Sequence, residues 1–62
     1  MTFEVIIVTM DERGRLKQFC RNHELQMERL DASAFNVYGI PDDLCDEFTD
    51  FCEANHLAHK LV

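Results

Sequence analysis

The chain has 62 residues, 47% of them hydrophobic and 29% charged, a composition typical of a folded globular domain. This length excludes two domains, so we predict a single domain over residues 1–62. Twelve acidic residues against six Lys and Arg give a net charge of −6, which disfavours direct binding to nucleic acid or to an anionic membrane. Because so small a core is only marginally stabilising, association with a second chain is expected.

The longest apolar run near the N-terminus covers residues 5–8. It is far shorter than the roughly 20 residues that span a bilayer, and no basic segment precedes it, so neither a signal peptide nor a transmembrane segment is predicted. The three cysteines, Cys20, Cys45 and Cys52, form no C-x-x-C pair and fall on apolar helix faces. This usage is typical of reduced core thiols in a cytoplasmic protein.

The first half of the chain predicts a strand, a helix and a second strand. Residues 2–8 are β-branched and aromatic with an almost continuous apolar centre, which indicates a central strand. Thr9 followed by Glu12 predicts a capping box at the start of a helix. The apolar side of this first helix comprises Leu16, Phe19, Cys20 and His23, and its basic wet surface comprises Arg13, Arg15, Lys17 and Arg21. Residues 24–30 alternate apolar and polar side chains, the pattern of an edge strand.

The second half repeats the pattern. Residues 34–40 favour a strand, and residues 31–33 form the turn of a hairpin that joins it to the preceding strand. Asp42 or Asp43 is expected to cap a second helix that runs to about Asn55. Its apolar arc comprises Leu44, Cys45, Phe48, Phe51 and Cys52. Residues 57–62 are predicted to form a short final edge strand.

This element order predicts an α+β ferredoxin-like βαββαβ fold, a four-stranded antiparallel sheet with two helices on one face. Right-handed crossovers put the first and third strands in the middle of the sheet. The basic first helix then lies beside the acidic second helix, and we expect it to neutralise part of that acidic surface.

The other face of the sheet has no predicted cover. Alternation along the strands predicts that about half of the side chains on this open face are apolar. We predict that four residues of this face form a partner interface: Ile6, Val8, Leu30 and Tyr38. An exposed apolar patch of this kind usually marks an interface, so a homodimer or another protein partner is expected, whereas the alternative is that scattered apolar side chains on the surface have no partner.

One side of the second helix is strongly acidic. It carries Asp42, Asp43, Asp46, Glu47, Asp50 and Glu53. Six carboxylates in a stripe can imitate a run of phosphates and occupy the basic cleft of a nucleic-acid-binding protein, whereas the alternative is an ordinary solvated helix face.

The sequence offers little for catalysis. We find no nucleophile beside an activating base, so neither catalytic residues nor an enzyme is predicted. Cys52, His56 and His59 have the ligand types and helical spacing that suit zinc or copper. However, His59 falls in a different element and no fourth ligand is evident, so neither a metal nor a cofactor is predicted.

The segment after the first strand reads Asp11-Glu12-Arg13-Gly14-Arg15-Leu16. This D-x-x-G-x-L pattern, together with the order of elements, resembles the ACT domain family. The resemblance implies a ferredoxin-like module that associates through its sheet and binds an amino acid or another small ligand near this junction. On that basis the ligand-binding positions would be Asp11, Gly14 and Leu16.

Three functional hypotheses follow. The first is a small, acidic, cytoplasmic, non-enzymatic module that binds itself or a larger protein partner through its open sheet face, as an adaptor or an inhibitor such as some small phage-encoded proteins. The alternatives are an ACT-like regulatory domain that binds a small molecule and an acidic mimic of nucleic acid that blocks a basic partner.

Overall fold

Four short strands and two helices follow one another along the chain. The structure, a computed structural model, describes all 62 residues. Its elements are β1 (Phe3–Ile6), α1 (Met10–Asn22), β2 (Gln26–Arg29), β3 (Ala34–Tyr38), a 3-10 turn (Asp42–Leu44), α2 (Cys45–Ala54) and β4 (Ala58–Leu61). Each predicted strand is present but shorter than its predicted range, because the ladder pairing ends before the β-favouring sequence does.

The strands form one antiparallel sheet in the order β2-β3-β1-β4. The prediction that the first and third strands are central is therefore confirmed, as are the hairpin and the α+β class. The architecture is compatible with a ferredoxin-like fold. Since β1 and β3 each have neighbours on both sides, they tolerate the most apolar sequences, while the charged β2 and β4 lie at the edges.

The core lies between one face of the sheet and the two helices. Alternate residues of β1 and β3 enter it, together with the apolar sides of both helices, and its buried members are Phe3, Val5, Ile7, Leu16, Cys20, Phe35, Val37, Ile40, Phe48, Cys52 and Leu57. Because both helices contribute to this one cluster, the opposite sheet face is left without a covering helix. The predicted apolar sides of α1 and α2 are thus confirmed except for His23, which is exposed and lies outside the core.

The start of α1 is fixed by the predicted capping box. The Glu12 amide donates to Thr9 Oγ1 at 3.1 Å. In return, Glu12 Oε1 accepts from the amides of Thr9 and Val8, at 3.3 and 2.9 Å. These bonds satisfy donors that a helix start otherwise leaves free, and only residues 7–9 connect β1 to α1.

The start of α2 differs from the prediction. Neither Asp42 nor Asp43 caps the helix, which is preceded by a 3-10 turn and begins after Leu44 without any side-chain cap. The Leu44 amide donates instead to the Pro41 carbonyl at 2.9 Å. Backbone carbonyls, rather than a side-chain carboxylate, thus accept hydrogen bonds from the amides at the start of α2. The side chains of Asp42 and Asp43 are exposed to solvent.

Candidate interaction surface

The open face of the sheet carries a polar row that crosses all four strands. The pairing register places Glu28, Asn36, Glu4 and Lys60 side by side, one from each strand. Lys60 Nζ lies 3.4 Å from Glu4 Oε1. Asn36 Nδ2 donates to the Tyr38 hydroxyl at 3.3 Å, and that hydroxyl donates to Glu28. These contacts form two separate groups, the ion pair of Glu4 with Lys60 and the hydrogen-bonded group of Asn36, Tyr38 and Glu28.

Tyr38 belongs to the group that contains Asn36 and Glu28. We predicted it as a member of the apolar interface, and the structure places it on the open face opposite Gln26. Its side chain is half-buried and its hydroxyl is tied to Glu28. The polar row therefore lies between Tyr38 and the part of the face that contains Ile6, and Tyr38 contacts the polar row rather than the predicted apolar interface.

A second row on the same face is apolar. Ile6 pairs with Ala34 on one side and with Ala58 on the other. The Leu30 amide donates to the Ala34 carbonyl at 2.8 Å, which extends the row to the end of β2. Val8 lies two residues after Ile6, beyond the end of β1, and is exposed whereas Ile7 between them is buried. We call Ile6, Val8, Leu30, Ala34 and Ala58 the apolar end of the open face.

The apolar end contains large side chains that are open to water. Ile6 is 37% exposed, Leu30 47% and Val8 81%. A cavity of about 290 Å³ adjoins it along the β4 edge and is lined by Glu4, Ile6, Ala58, His59 and Lys60. Strand alternation in the sequence indicates Ile6, Val8 and Leu30 but not Ala34 and Ala58. Small side chains give a weak apolar signal, and only strand pairing shows that they adjoin Ile6.

The residues matched to the ACT pattern lie at the start of α1. Asp11 and Gly14 are exposed, whereas Leu16 is 0% exposed and belongs to the core. A Cβ added to Gly14 would meet nothing within 4 Å, so no close backbone approach requires glycine there. The three positions do not form one surface, because the buried Leu16 side chain cannot contact a ligand that binds at the exposed Asp11 and Gly14.

The acidic residues of the 3-10 turn and α2 are all exposed, as the sequence predicted. The expected neutralisation by α1 is largely wrong. The one contact between an acidic residue of α2 and a basic residue from the α1 side is Glu47 Oε2 with His23 Nε2, at 3.2 Å. Arg15 Nη1 donates to Asn55 Oδ1 at 3.1 Å, and the Asn55 side chain carries no charge. The acidic surface therefore remains open to solvent and to partners.

The cysteines are free, and two of them are buried. Burial raises the pKa of the Cys20 thiol to about 11. The pKa of Cys52 rises to about 12, mainly through burial and also through the negative charges of Cys20 and Glu53. Cys45 is only partly buried. The core thiols thus stay protonated and unreactive at neutral pH.

The thiol pKa values predict that alkaline solution destabilises the fold. Cys20 and Cys52 ionise near pH 9 when unfolded but near pH 11 and 12 when folded. The unfolded state therefore loses protons first, and stability falls as pH rises above about 9, by about 1 to 2 kcal/mol for each thiol by pH 10.5.

The measurement is urea unfolding at pH 7.5, 9 and 10.5. Cys20→Ala should have a lower stability at every pH and a shallower decline above pH 9. Cys45→Ala, the matched control, should decline as the wild type does. Equal slopes for all three proteins would contradict a contribution from the core thiols.

The residues considered for a metal site are dispersed. Cys52 is buried in the core, and His56 is exposed in the turn between α2 and β4. The His59 Nδ1 atom lies 3.0 Å from the Leu57 carbonyl. No group of three metal-ligating side chains gathers anywhere in the chain.

Neither helix is long and apolar enough to cross a membrane. Comparison of the chain with protein-family models, with curated proteins and with solved structures finds no match.

Proposed function

We propose that this chain is a small, acidic, non-enzymatic interaction module with a ferredoxin-like fold, which binds another protein through the apolar end of its open sheet face. The observation that carries the proposal is the row from Leu30 to Ala58, which begins at the residue after β2, crosses β3, β1 and β4, and exposes Ile6, Leu30 and the neighbouring Val8. Large apolar side chains on a sheet face without a covering layer usually mark an interface.

The polar row supports the same proposal. It borders the apolar end with charged side chains, Glu4 and Lys60 among them, that are already held by one another. An apolar centre beside a polar border is the usual anatomy of a protein interface. Because the polar side chains are fixed in advance, a partner would bind with little further loss of side-chain entropy.

The partner we propose first is a second copy of the chain. A two-fold axis through the open face would bring the apolar ends together, since symmetric dimers use the same patch on both subunits. Covering Ile6, Leu30 and Val8 in this way would contribute on the order of 1 kcal/mol for each side chain. In this proposal the protein acts in the cytoplasm, where its three free thiols would stay reduced.

The experiment is light scattering over a range of concentrations, combined with Ile6→Glu. The wild type should have the mass of a dimer, and Ile6→Glu should have the mass of one chain, because the new carboxylate would be buried against its symmetry mate. Leu61→Glu is the matched control. It adds the same charge at an exposed apolar residue of β4 that pairs with core-facing Phe3 rather than lying on the open face.

Circular dichroism would confirm that both variants remain folded. A wild-type mass of one chain at every concentration would contradict the homodimer and leave a different protein as the partner. Equal effects of Ile6→Glu and Leu61→Glu would contradict the open face as the interface.

A second candidate is the acidic mimic of nucleic acid. Its support is that all six predicted carboxylates are exposed and only Glu47 has an ionic contact. Such a role predicts partner binding that weakens with salt and is abolished by charge reversal at Asp46 and Asp50. Ile6→Glu would leave that binding intact, which separates the two candidates. An ACT-like ligand site has weaker support, since Leu16 lies in the core.

A further inference from the structure

A basic pocket lies on the helix side of the sheet, between α1 and the β2 edge. Its cavity of about 260 Å³ is lined by Arg13, Lys17, Met27, Arg29 and Phe35. Met27 and Arg29 pair with the core-facing residues Val37 and Phe35, so these side chains leave the sheet on the side opposite to the open face. The basic pocket is therefore separate from the proposed protein interface.

The charge of the pocket is uncompensated. It gathers three of the six Lys and Arg residues of a chain whose net charge is −6. Carboxylates contact His23 and Lys60, and no carboxylate lies within 4.0 Å of a charged nitrogen of the pocket. Three converging cations without a carboxylate create a local positive potential inside an acidic protein, and this potential attracts an anion.

Two of the cations are held in position by the fold. The Arg13 guanidinium lies over the Phe35 ring, with Cζ 5.5 Å from the ring centroid. Arg29 Nε donates to the Asp31 carbonyl at 3.1 Å, which leaves its terminal nitrogens free for a ligand. Lys17 follows Arg13 by one helical turn and so projects on the same side of α1. A ligand would meet donors that are already oriented.

The floor of the pocket is apolar. Phe35 is buried, and Met27 is partly buried against the core. Because Phe35 is 3% exposed and lies under the Arg13 guanidinium, the apolar surface open to a ligand is that of Met27. A simple inorganic anion would use the cations but leave Met27 in contact with water. A ligand with a flat or apolar group beside its charge would use both parts. The cavity is near the lower end of the range for small-molecule sites, which favours a small ligand.

We propose that the basic pocket binds a small organic phosphate, a phosphate monoester dianion attached to an apolar or aromatic group. The guanidinium fork matches phosphate oxygens, and a dianion leaves the pocket with a small residual positive charge. A nucleic-acid strand is disfavoured, because three cations are few for a polyanion and the rest of the chain repels it. This site goes beyond the proposed interaction module and does not depend on it.

The test is a titration of the full chain with phenyl phosphate, followed by amide NMR shifts. Saturable shifts are expected in α1 around Arg13 and Lys17 and in β2 around Arg29. Phenol should bind without measurable affinity because it lacks the phosphate group. Inorganic phosphate should bind more weakly than phenyl phosphate because it lacks the aromatic group. Lys17→Gln should weaken phenyl phosphate binding by about tenfold.

Arg21→Gln is the matched control, since it removes the same charge from an exposed position of α1 outside the pocket. It should weaken phenyl phosphate binding by less than about twofold, because removing one distant positive charge has only a small, screened effect at moderate salt. Shifts that do not saturate, or equal losses in Lys17→Gln and Arg21→Gln, would overturn the proposal. Ile6→Glu should bind phenyl phosphate as the wild type does, so failure of the open-face interface and failure of this site are distinguishable.

Discussion

Phe48→Ala is expected to leave much of the protein unfolded at 25 °C. Phe48 is fully buried, and its ring centroid lies 5.2 Å from that of Phe3 and 5.7 Å from that of Phe19. It thus joins α2 both to the central strand β1 and to α1. Truncating a buried Phe costs about 3 to 5 kcal/mol, whereas a domain of this length has roughly 3 to 9 kcal/mol of total stability.

The measurement is urea unfolding monitored by circular dichroism at one fixed protein concentration, because association would stabilise the folded state. Phe51→Ala is the matched control. Phe51 stacks on Phe19 with ring centroids 4.6 Å apart, but it is only partly buried, so its loss should cost about 1 to 2 kcal/mol. Equal costs for the two variants would contradict the central place of Phe48 in the core.

Asn36→Asp is expected to destabilise the fold by about 2 to 4 kcal/mol at pH 7, although the two side chains have the same shape. Asn36 lies between Glu4 and Glu28 in the polar row, and its Oδ1 is buried without a hydrogen-bond partner. A carboxylate there would place a third negative charge in the row. It would also lose the donor that now reaches the Tyr38 hydroxyl.

The loss should depend on pH. The neighbouring carboxylates and the burial would raise the folded-state pKa of the introduced carboxyl group above its unfolded value of about 3.9. The stability of the variant is therefore retained below about pH 4 and lost as pH rises through the raised pKa. Denaturation at pH 4 and pH 7 measures this, and an equal difference from the wild type at both values would contradict it.

Asn36→Val serves as the control for the same position. It removes the unpartnered Oδ1 and adds a β-branched side chain that suits a central strand. Its stability should equal or exceed that of the wild type, since replacing an unsatisfied polar group by an apolar one of similar size is neutral or favourable. A large loss in this variant would show that the amide of Asn36, rather than the absence of charge, is what the sheet requires.

The features that the sequence predicted correctly depend on short-range patterns. The capping box at Thr9 and Glu12 involves residues one turn apart, so their spacing alone indicates the start of α1. The apolar sides of the helices and the alternation in β1 follow from the periods of 3.6 and 2. The central place of β1 and β3 then follows from element order and crossover handedness.

The predicted side-chain cap of α2 is wrong, because residue type alone does not determine how a helix begins. Asp42 and Asp43 have the residue type of a cap, and sequence alone does not distinguish a side-chain cap from a 3-10 turn closed by the Pro41 carbonyl. The attachment of Tyr38 to Glu28 was missed for a related reason. Both residues were assigned to the open face, but the bond depends on the pairing of two strands.

By itself the sequence determined the element types, the core-facing residues and the presence of an uncovered, partly apolar sheet face, because these follow from periodicity along one segment. The tertiary structure alone decided which side chains meet. It joined Ala34 and Ala58 to Ile6, left the acidic surface of α2 unneutralised, and brought Arg13, Lys17 and Arg29 around Phe35. The physical reason is that such contacts join distant segments, and their geometry is set by strand register and helix placement rather than by any local spacing.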